Sequence, residues 1–249
     1  MQHIACRGEK DDAVSIHAAL SFAAQGLRFC VLMKSSISSI PIGREKLEAM
    51  LEVPAGATGV VLFAHGSGSS RLSPRNAYVA RVVREAGIGT LLFDLLTEEE
   101  ASDRGNVFDI EFLARRLKAA TDWTRQVGSA KGLAIGYFGA STGAAAALVA
   151  AADDETIGAI VSRGGRPDLA GAALPKVKAP TLLIVGGDDT GVIELNQEAC
   201  DRLTCKKELK IVPGATHLFE EPGTLEEVAR LARDWFKLHL HKSGTERRR

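Results

Sequence analysis

The apolar residues of the chain fall into two kinds of pattern, short continuous runs and longer stretches with helical spacing. A continuous apolar run such as residues 59–64 is typical of a strand buried on both faces. Strands are predicted at residues 37–42, 47–53, 59–64, 89–93, 133–138, 157–162, 181–185 and 209–212. The longer stretches predict helices at residues 74–86, 107–127, 142–152, 192–203 and 225–240. A tight turn at Gly43-Arg44 joins the first two strands, and Asn106 is the predicted N-cap of the second helix.

Strands that alternate with helices in this way predict an α/β fold, a three-layer α/β/α sandwich. Its sheet is expected to be mostly parallel, with about eight strands and helices on both faces. Ligand sites in such sheets lie at the carboxyl ends of the strands. We therefore look for chemistry in the loops that follow the strands.

One loop carries the pentapeptide Gly139-Ala140-Ser141-Thr142-Gly143. An apolar strand leads into it, and a helix rich in alanine leads out of it. A G-x-S-x-G sequence between a strand and a helix indicates a nucleophile elbow, in which a sharp turn presents the serine hydroxyl above the sheet. Ser141 is the predicted nucleophile. The alternative is that the two glycines only allow tight packing of the helix on the strand.

A serine hydroxyl needs a neighbouring base to remove its proton. Of the six histidines, only His217 lies in a loop after a late strand, and it is the predicted general base; the alternative is a surface histidine. A carboxylate should orient this base, in the chain order serine, acid, histidine. The strand at residues 181–185 is followed by Asp188 and Asp189. Only one of these neighbours can reach the histidine, while the other can bond to backbone amides of its own turn.

The developing oxyanion requires hydrogen-bond donors. One is expected to be the backbone N–H of Thr142, which follows the nucleophile, and the other a backbone N–H of the glycine-rich loop after the strand at residues 59–64. We assign the second donor to Ser67, with Gly66 or Gly68 as alternatives. The same loop matches neither a P-loop nor a dinucleotide-binding fingerprint.

Four segments together resemble the α/β-hydrolase superfamily and, within it, the dienelactone-hydrolase-like serine hydrolases. They are His65-Gly66-Ser67-Gly68, Gly139-Ala140-Ser141-Thr142-Gly143, Gly186-Gly187-Asp188-Asp189 and Gly214-Ala215-Thr216-His217. The family pattern G-x-x-D, placed on Gly186, selects Asp189 as the acid. The best-known lactone-cleaving members use a cysteine nucleophile, whereas this sequence has Ser141. The resemblance covers residues 36 to 240.

Composition narrows the choice of partners. Lys plus Arg and Asp plus Glu each total 31, so the formal net charge is zero. This balance gives no sign of nucleic-acid binding or of an anionic membrane surface. The connection between the strands at 157–162 and 181–185 is too short for a cap domain, so we expect an open site and a small substrate. Arg71 and Arg163 are candidates for binding a substrate carboxylate, and the alternative for each is a solvated or structural arginine.

The two ends of the chain differ from its centre. Residues 1–34 form an N-terminal extension without a clear strand–turn pattern, residues 35–241 the hydrolase domain, and residues 242–249 a polar, basic and flexible tail. The extension lacks the basic start and unbroken apolar stretch of a secretory signal. The four cysteines form no C-x-x-C pair or metal-spaced cluster. Free thiols and a cytoplasmic location are the resulting expectations.

The sequence thus predicts a hydrolase that needs no cofactor or metal. It would cleave a small carboxylic ester, thioester or lactone through an acyl-enzyme on Ser141, His217 and Asp189. One alternative is an acyltransferase that uses the same three residues, and another is a hydrolase-fold binding protein without activity. The patterns do not predict the oligomeric state or the natural substrate.

Overall fold

A computed structural model describes residues 36–42 and 45–240 of the chain. The predicted turn at Gly43-Arg44, the extension at residues 1–34 and the tail at residues 242–249 lie outside these residues. The described part of the chain forms one sheet of eight strands. The strands are β1 (Ser36–Ile42), β2 (Glu45–Glu52), β3 (Gly59–Ala64), β4 (Gly89–Phe93), β5 (Ala134–Ala140), β6 (Ile157–Arg163), β7 (Thr181–Gly186) and β8 (Lys207–Val212).

The strands lie in the order β1-β2-β4-β3-β5-β6-β7-β8. The β1–β2 and β2–β4 pairs are antiparallel, and the remaining neighbours are parallel. All six residues of β3 and of β7 are buried. This burial explains why both strands are continuous apolar runs in the sequence. The expected sheet of about eight mostly parallel strands is confirmed.

Helices cover both faces of the sheet. They are α1 (Pro74–Glu85), α2 (Glu98–Ser102), α3 (Arg104–Phe108), α4 (Ile110–Gln126), α5 (Thr142–Ala152), α6 (Thr190–Arg202) and α7 (Thr224–His239). Apolar residues of α1 and α7 pack on one face of the sheet, together with Phe63 and Phe138. Those of α4, α5 and α6 pack on the other face. The three-layer α/β/α architecture follows from these two separate cores.

The predicted single helix at residues 107–127 is wrong at its start. The short helix α2 precedes this segment, α3 ends at Phe108 within it, and α4 begins only at Ile110. Asp109 has a non-helical backbone, and its carboxylate accepts the N–H of Phe112, so it is the N-cap of α4. The Asn106 side chain instead donates to the carbonyl of Glu100. Because Asp109 caps the helix three residues further on, Asn106 is not its cap.

The connection from β6 to β7 contains only a 3₁₀ helix, Pro167–Lys176. It packs against α5 and α6, so no cap domain is inserted at this point of the described chain. Cys200 and Cys205 are free thiols. No helix of residues 36–42 and 45–240 is long and apolar enough to cross a membrane.

Candidate active site

Ser141 lies in a sharp turn between β5 and α5. Its φ of 50° and ψ of −122° place a residue other than glycine in a strained region of backbone space, which costs about 1–3 kcal/mol and is typical of functional sites. The glycines of the pentapeptide explain how this turn fits. A Cβ on Gly139 would lie 2.4 Å from Ala144 Cα, and one on Gly143 would lie 2.2 Å from the carbonyl oxygen of Ala64. Both positions therefore require glycine.

His217 and Asp189 are in direct contact. Nδ1 of His217 lies 2.7 Å from Oδ2 of Asp189. The Asp189 side chain is 16% exposed and the His217 side chain 38% exposed. A bond at Nδ1 fixes the ring orientation and leaves Nε2 for other chemistry. None of the hydrogen bonds found among the described residues joins the Ser141 hydroxyl to His217.

Asp188 has a different environment from its neighbour. It is exposed, its backbone N–H donates to the carbonyl of Ala215, and no hydrogen bond from its side chain is found within the described chain. The backbone bond holds the turn after β7 against the loop that carries His217. Only Asp189, of the two aspartates, therefore contacts the histidine.

The loop that carries His217 is fixed by its own hydrogen bonds. The N–H and hydroxyl of Thr216 both donate to the Glu221 carboxylate, at 3.1 and 2.6 Å. The hydroxyl bond is the main cause of a lowered pKa of Glu221. Phe219 is buried and has a φ of 56°, a second non-glycine residue in the left-handed region. A loop held in this way keeps the imidazole in one place.

The two expected oxyanion donors, the N–H groups of Ser67 and Thr142, lie next to each other. The Ser67 N–H already donates a hydrogen bond within the protein. The Ser67 N–H donates to the hydroxyl oxygen of Thr142 at 3.1 Å. Thr142 is the first residue of α5, so its own N–H has no partner within the helix. The loop before α1 comes very close to the nucleophile, because a Cβ on Gly66 would lie 2.9 Å from Ser141 Cβ. The interaction of the Thr142 hydroxyl with Ser67 is not predictable from the sequence pattern.

His65 fixes the position of the same loop. Its Nε2 accepts the N–H of Leu95 at 3.0 Å, and its Nδ1 lies 3.0 Å from the carbonyl oxygen of Gly66. An Nε2 that accepts cannot carry a proton, so Nδ1 carries it and donates to Gly66. Burial lowers the pKa of His65, although the Gly66 bond and the charge of Asp94 oppose this shift. The neutral imidazole links the Ser67 loop to the segment after β4.

A cavity of about 760 Å³ opens beside Ser67 and Thr142. It lies between the loop after β3 and the segment that contains α2 and α3. Its apolar wall includes Leu47, Leu72, Leu95, Leu96, Ala101, Val107, Phe108 and Leu113. Two side chains of this wall are largely open to solvent: Leu72 is 63% exposed and Phe108 is 50% exposed. The apolar part of this wall lies next to the expected oxyanion donors and is suited to an uncharged organic group. The cavity is also lined by charged residues, which are Lys46, Glu48, Arg71, Asp94, Glu98 and Arg104.

The two arginines proposed from the sequence have different surroundings. Arg71 lines the cavity, but it forms ion pairs with both Asp94 and Glu48. Its charge is therefore already balanced by two carboxylates, and its binding of a substrate carboxylate stays a prediction. Arg163 is the last residue of β6 rather than a loop residue. It is 7% exposed and has no carboxylate partner among the described residues.

Comparison with known proteins identifies the family. The family model described as the dienelactone hydrolase family matches residues 48–240. The chain belongs to the dienelactone hydrolase family. A crystal structure of a dienelactone hydrolase from Anabaena variabilis is 56% identical, with a TM-score of 0.81, and the match covers 84% of this chain and 99% of that one.

Two solved structures of low identity resemble this dienelactone hydrolase family member in fold alone. One is an esterase from Pyrococcus furiosus, 19% identical with a TM-score of 0.68 over 84% of this chain and 91% of that chain. The other, from Xanthomonas campestris, is described as an α/β serine hydrolase without a lid. It is 21% identical, with a TM-score of 0.66 over 82% of this chain and 94% of that chain.

Curated relatives are longer than the present chain. Proteins of two Mycobacterium tuberculosis strains, each named "Putative phosphoribosyl transferase", are 63% identical over 195 residues. The match covers 78% of this chain but 44% of those proteins. The chain thus spans less than half the length of these relatives.

No group of three or more histidine, cysteine, aspartate or glutamate side chains with the geometry of a metal site is found among residues 36–42 and 45–240.

Proposed function

We propose that this member of the dienelactone hydrolase family is a serine hydrolase that cleaves small carboxylic esters, thioesters or lactones. The observation that carries the proposal is the strained backbone of Ser141 at the start of α5. A turn that costs free energy and places a serine above the sheet has a clear use in nucleophilic catalysis. The contact of His217 with Asp189 supplies the other two groups that such a serine needs.

In the proposed reaction, the Ser141 hydroxyl attacks the carbonyl carbon while Nε2 of His217 takes its proton. Collapse of the tetrahedral intermediate breaks the bond to the leaving group, and His217 returns the proton to that group. Water then attacks the acyl-enzyme by the same route and releases the acid. Asp189 keeps the proton of the neutral imidazole on Nδ1 and stabilises the imidazolium that forms.

The negative charge of the intermediate would be stabilised at the start of α5. The Thr142 N–H points out of the first turn of the helix, where the helix dipole also favours an anion. The Ser67 N–H is adjacent, bonded to the Thr142 hydroxyl. We infer that this hydroxyl aims the Ser67 amide toward α5, and that a substrate carbonyl oxygen then shares the two amides.

The cavity beside these amides indicates the size of substrate. Its apolar wall is formed partly by the short helices α2 and α3. We infer that the uncharged part of a small ester occupies it. The phosphoribosyl transferase name belongs to proteins more than twice as long as the matched segment, and no residue of the site described above calls for that activity.

The direct test is hydrolysis of short-chain p-nitrophenyl esters by the wild type beside Ser141→Ala. We expect turnover by the wild type and none above background by the variant, with both proteins folded by circular dichroism. Equal turnover by a folded Ser141→Ala protein would overturn the mechanism. Addition of an alcohol acceptor separates hydrolysis from acyl transfer, because a transferase would divert the acyl group from water to the alcohol.

A further inference from the structure

The backbone of Ser141 is bonded on both sides to the segment that ends β6 and follows it. The N–H of Ser141 donates to the carbonyl of Arg163 at 3.4 Å, and the carbonyl of Ser141 accepts the N–H of Arg166 at 3.1 Å. We refer to residues 163–166 as the β6 loop. Because both polar groups of the nucleophile's backbone are bonded to this loop, a movement of the loop would also move the nucleophile.

The β6 loop also lies against the segment that carries the base. The N–H of Gly164 donates to the carbonyl of Ile184 in β7 at 2.8 Å. The φ of Gly164 is 49°, and a Cβ at this position would lie 2.9 Å from the carbonyl oxygen of His217. Glycine permits both this backbone conformation and this close approach. The loop thus contacts the backbone of the nucleophile and that of the base.

Asn196 of α6 holds the β6 loop from the helix side. The residue is 0% exposed. Its Nδ2 donates to the carbonyl of Gly165 at 3.0 Å and to the carbonyl of Val192 at 2.8 Å. The second bond, to a carbonyl one turn earlier in the same helix, fixes the orientation of the amide and so directs the first bond at the loop. No backbone N–H of the described chain is found to bond the Gly165 carbonyl, which makes Asn196 its partner.

The helix that carries Asn196 begins at the proposed acid. Asp189 is the N-cap residue of α6, and its carbonyl accepts the N–H of Val192 at 3.0 Å. An aspartate in this position usually bonds an amide of the first turn through its side chain. Here the side chain does not cap the helix and contacts His217 instead. Asn196 therefore connects the first turns of the acid's helix to the β6 loop.

The stability of the fold does not by itself explain Asn196. Its Oδ1 is buried, and no hydrogen-bond partner for it is found in the described chain. A buried polar atom without a partner costs free energy, and such an atom in a native structure calls for an explanation. Asn196 does not line the cavity, so its place between the acid's helix and the β6 loop is the feature that relates it to the reaction.

We propose that Asn196 is a positioning residue for the reaction at Ser141. This inference rests on the proposed ester hydrolysis. Asn196 holds the Gly165 carbonyl on α6, and the next residue, Arg166, is thereby placed to bond the Ser141 carbonyl. The nucleophile is thus held at a fixed distance from the helix that begins at Asp189. A misplacement of reacting groups by about 1 Å costs about 10²-fold in rate, so the effect of this contact should be visible in turnover.

The test is steady-state hydrolysis of p-nitrophenyl butyrate by the wild type and Asn196→Ala. We expect kcat to fall by about tenfold or more, because the serine is no longer held in line with its base. KM should stay within about twofold of the wild type, because Asn196 does not line the cavity. An unchanged kcat in a folded Asn196→Ala protein, with or without a change in KM, would overturn the positioning role.

Thr121→Val is the matched control for the loss of a buried polar group. Thr121 is 1% exposed, and its hydroxyl bonds the Leu117 carbonyl at 2.9 Å and the Tyr137 hydroxyl at 2.8 Å. It lies in α4, which carries none of the proposed site residues. Both variants should unfold at a lower temperature than the wild type, but Thr121→Val should keep kcat within about twofold. Equal losses of kcat in the two variants would reduce Asn196 to a general effect on stability and overturn the proposal.

Labelling with a fluorophosphonate separates a misplaced serine from an unfolded fraction. Asn196→Ala should still take up one adduct per chain, on Ser141, but with a rate constant about tenfold lower than that of the wild type. An incomplete adduct that forms at the wild-type rate would indicate partial unfolding and overturn the proposal. Asn196→Ser is the second variant if Asn196→Ala does not fold. Its shorter hydroxyl can bond the Val192 carbonyl but does not extend to the β6 loop, so the same result is expected.

Hydrogen exchange reports on the β6 loop without any turnover. In Asn196→Ala, the peptide that contains residues 163–166 should exchange faster than in the wild type, whereas peptides of α4 should exchange at the same rate. If the wild type cleaves no ester and reacts with no fluorophosphonate, the proposed hydrolysis fails, while faster exchange would still show that Asn196 holds the loop. If the wild type is active and Asn196→Ala has the same kcat and the same exchange, only the positioning role is wrong.

Discussion

The charge of Asp189 should be the most sensitive electrostatic feature of the site. Its carboxylate contacts Nδ1 of His217 at 2.7 Å, and the imidazole becomes positively charged when it takes the Ser141 proton. For two unit charges about 4 Å apart at an effective dielectric constant of about 20, the attraction is about 4 kcal/mol. Because each 1.36 kcal/mol corresponds to a factor of ten, Asp189→Asn should lower kcat by roughly 10³-fold. An asparagine amide can also donate to Nδ1 and so favour the wrong tautomer.

The matched control for this change is Asp188→Asn. It also replaces a carboxylate by an amide, but one residue earlier in the chain. The Asp188 side chain is exposed and forms no hydrogen bond in the described chain. We expect kcat to stay within about twofold of the wild type, since solvent screens a charge at such a position. The assay is initial-rate hydrolysis of p-nitrophenyl acetate, with circular dichroism to show that both variants fold. Equal losses in the two variants, or a larger loss in Asp188→Asn, would refute the assignment of the acid.

Three further predictions concern the oxyanion loop and the packing around it. Thr142→Val removes the hydroxyl that accepts the Ser67 N–H and should lower kcat by about tenfold. Thr142→Ser keeps a hydroxyl, and its kcat should stay close to that of the wild type. Equal kcat values for the two variants would contradict the role of the hydroxyl. Gly143→Ala places a Cβ 2.2 Å from a backbone oxygen and should lower the free energy of unfolding by about 3 kcal/mol or more in urea denaturation. Gly191→Ala, with no atom within 4 Å of its Cβ, should change it by less than about 1 kcal/mol, and equal effects would show that the close contact is not limiting. Because burial lowers the pKa of His65 from 6.5, the unfolded chain binds more protons below about pH 6.5. The free energy of unfolding of the wild type should therefore fall as the pH falls through this range, by up to about 1.4 kcal/mol per pH unit. In His65→Gln the contribution of His65 to this pH dependence should be absent. An identical pH dependence in the two proteins would contradict the prediction for His65.

The sheet could be predicted from the sequence because its central strands are buried on both faces. Such strands consist of continuous apolar runs, as at Gly59–Ala64 and Thr181–Gly186, and each run is bounded by turn residues. The segment at residues 98–110 was less predictable. Thr97, Asp103 and Asp109 are the N-caps of α2, α3 and α4. Several polar residues of this segment could have served as caps.

The positions of the site residues were predictable where a loop follows a strand, but their partners were not. The contact between His217 and Asp189 was expected from chain order and family resemblance. The balance of charge on Arg71 depends on Glu48 of β2 and on Asp94, which directly follows β4. Likewise, the unpaired state of Arg163 reflects which side chains α1 and the His217 loop bring close. Such pairings are set by tertiary packing, which local sequence patterns do not contain.

Covalent labelling with a fluorophosphonate tests the central claim most directly, because it requires an activated serine and no knowledge of the natural substrate. The account predicts that the wild type reacts at one position, that mass spectrometry locates the adduct on the peptide that contains Ser141, and that Ser141→Ala and His217→Gln remain unlabelled. A folded wild-type protein without an adduct, or with an adduct on another residue, would contradict the account.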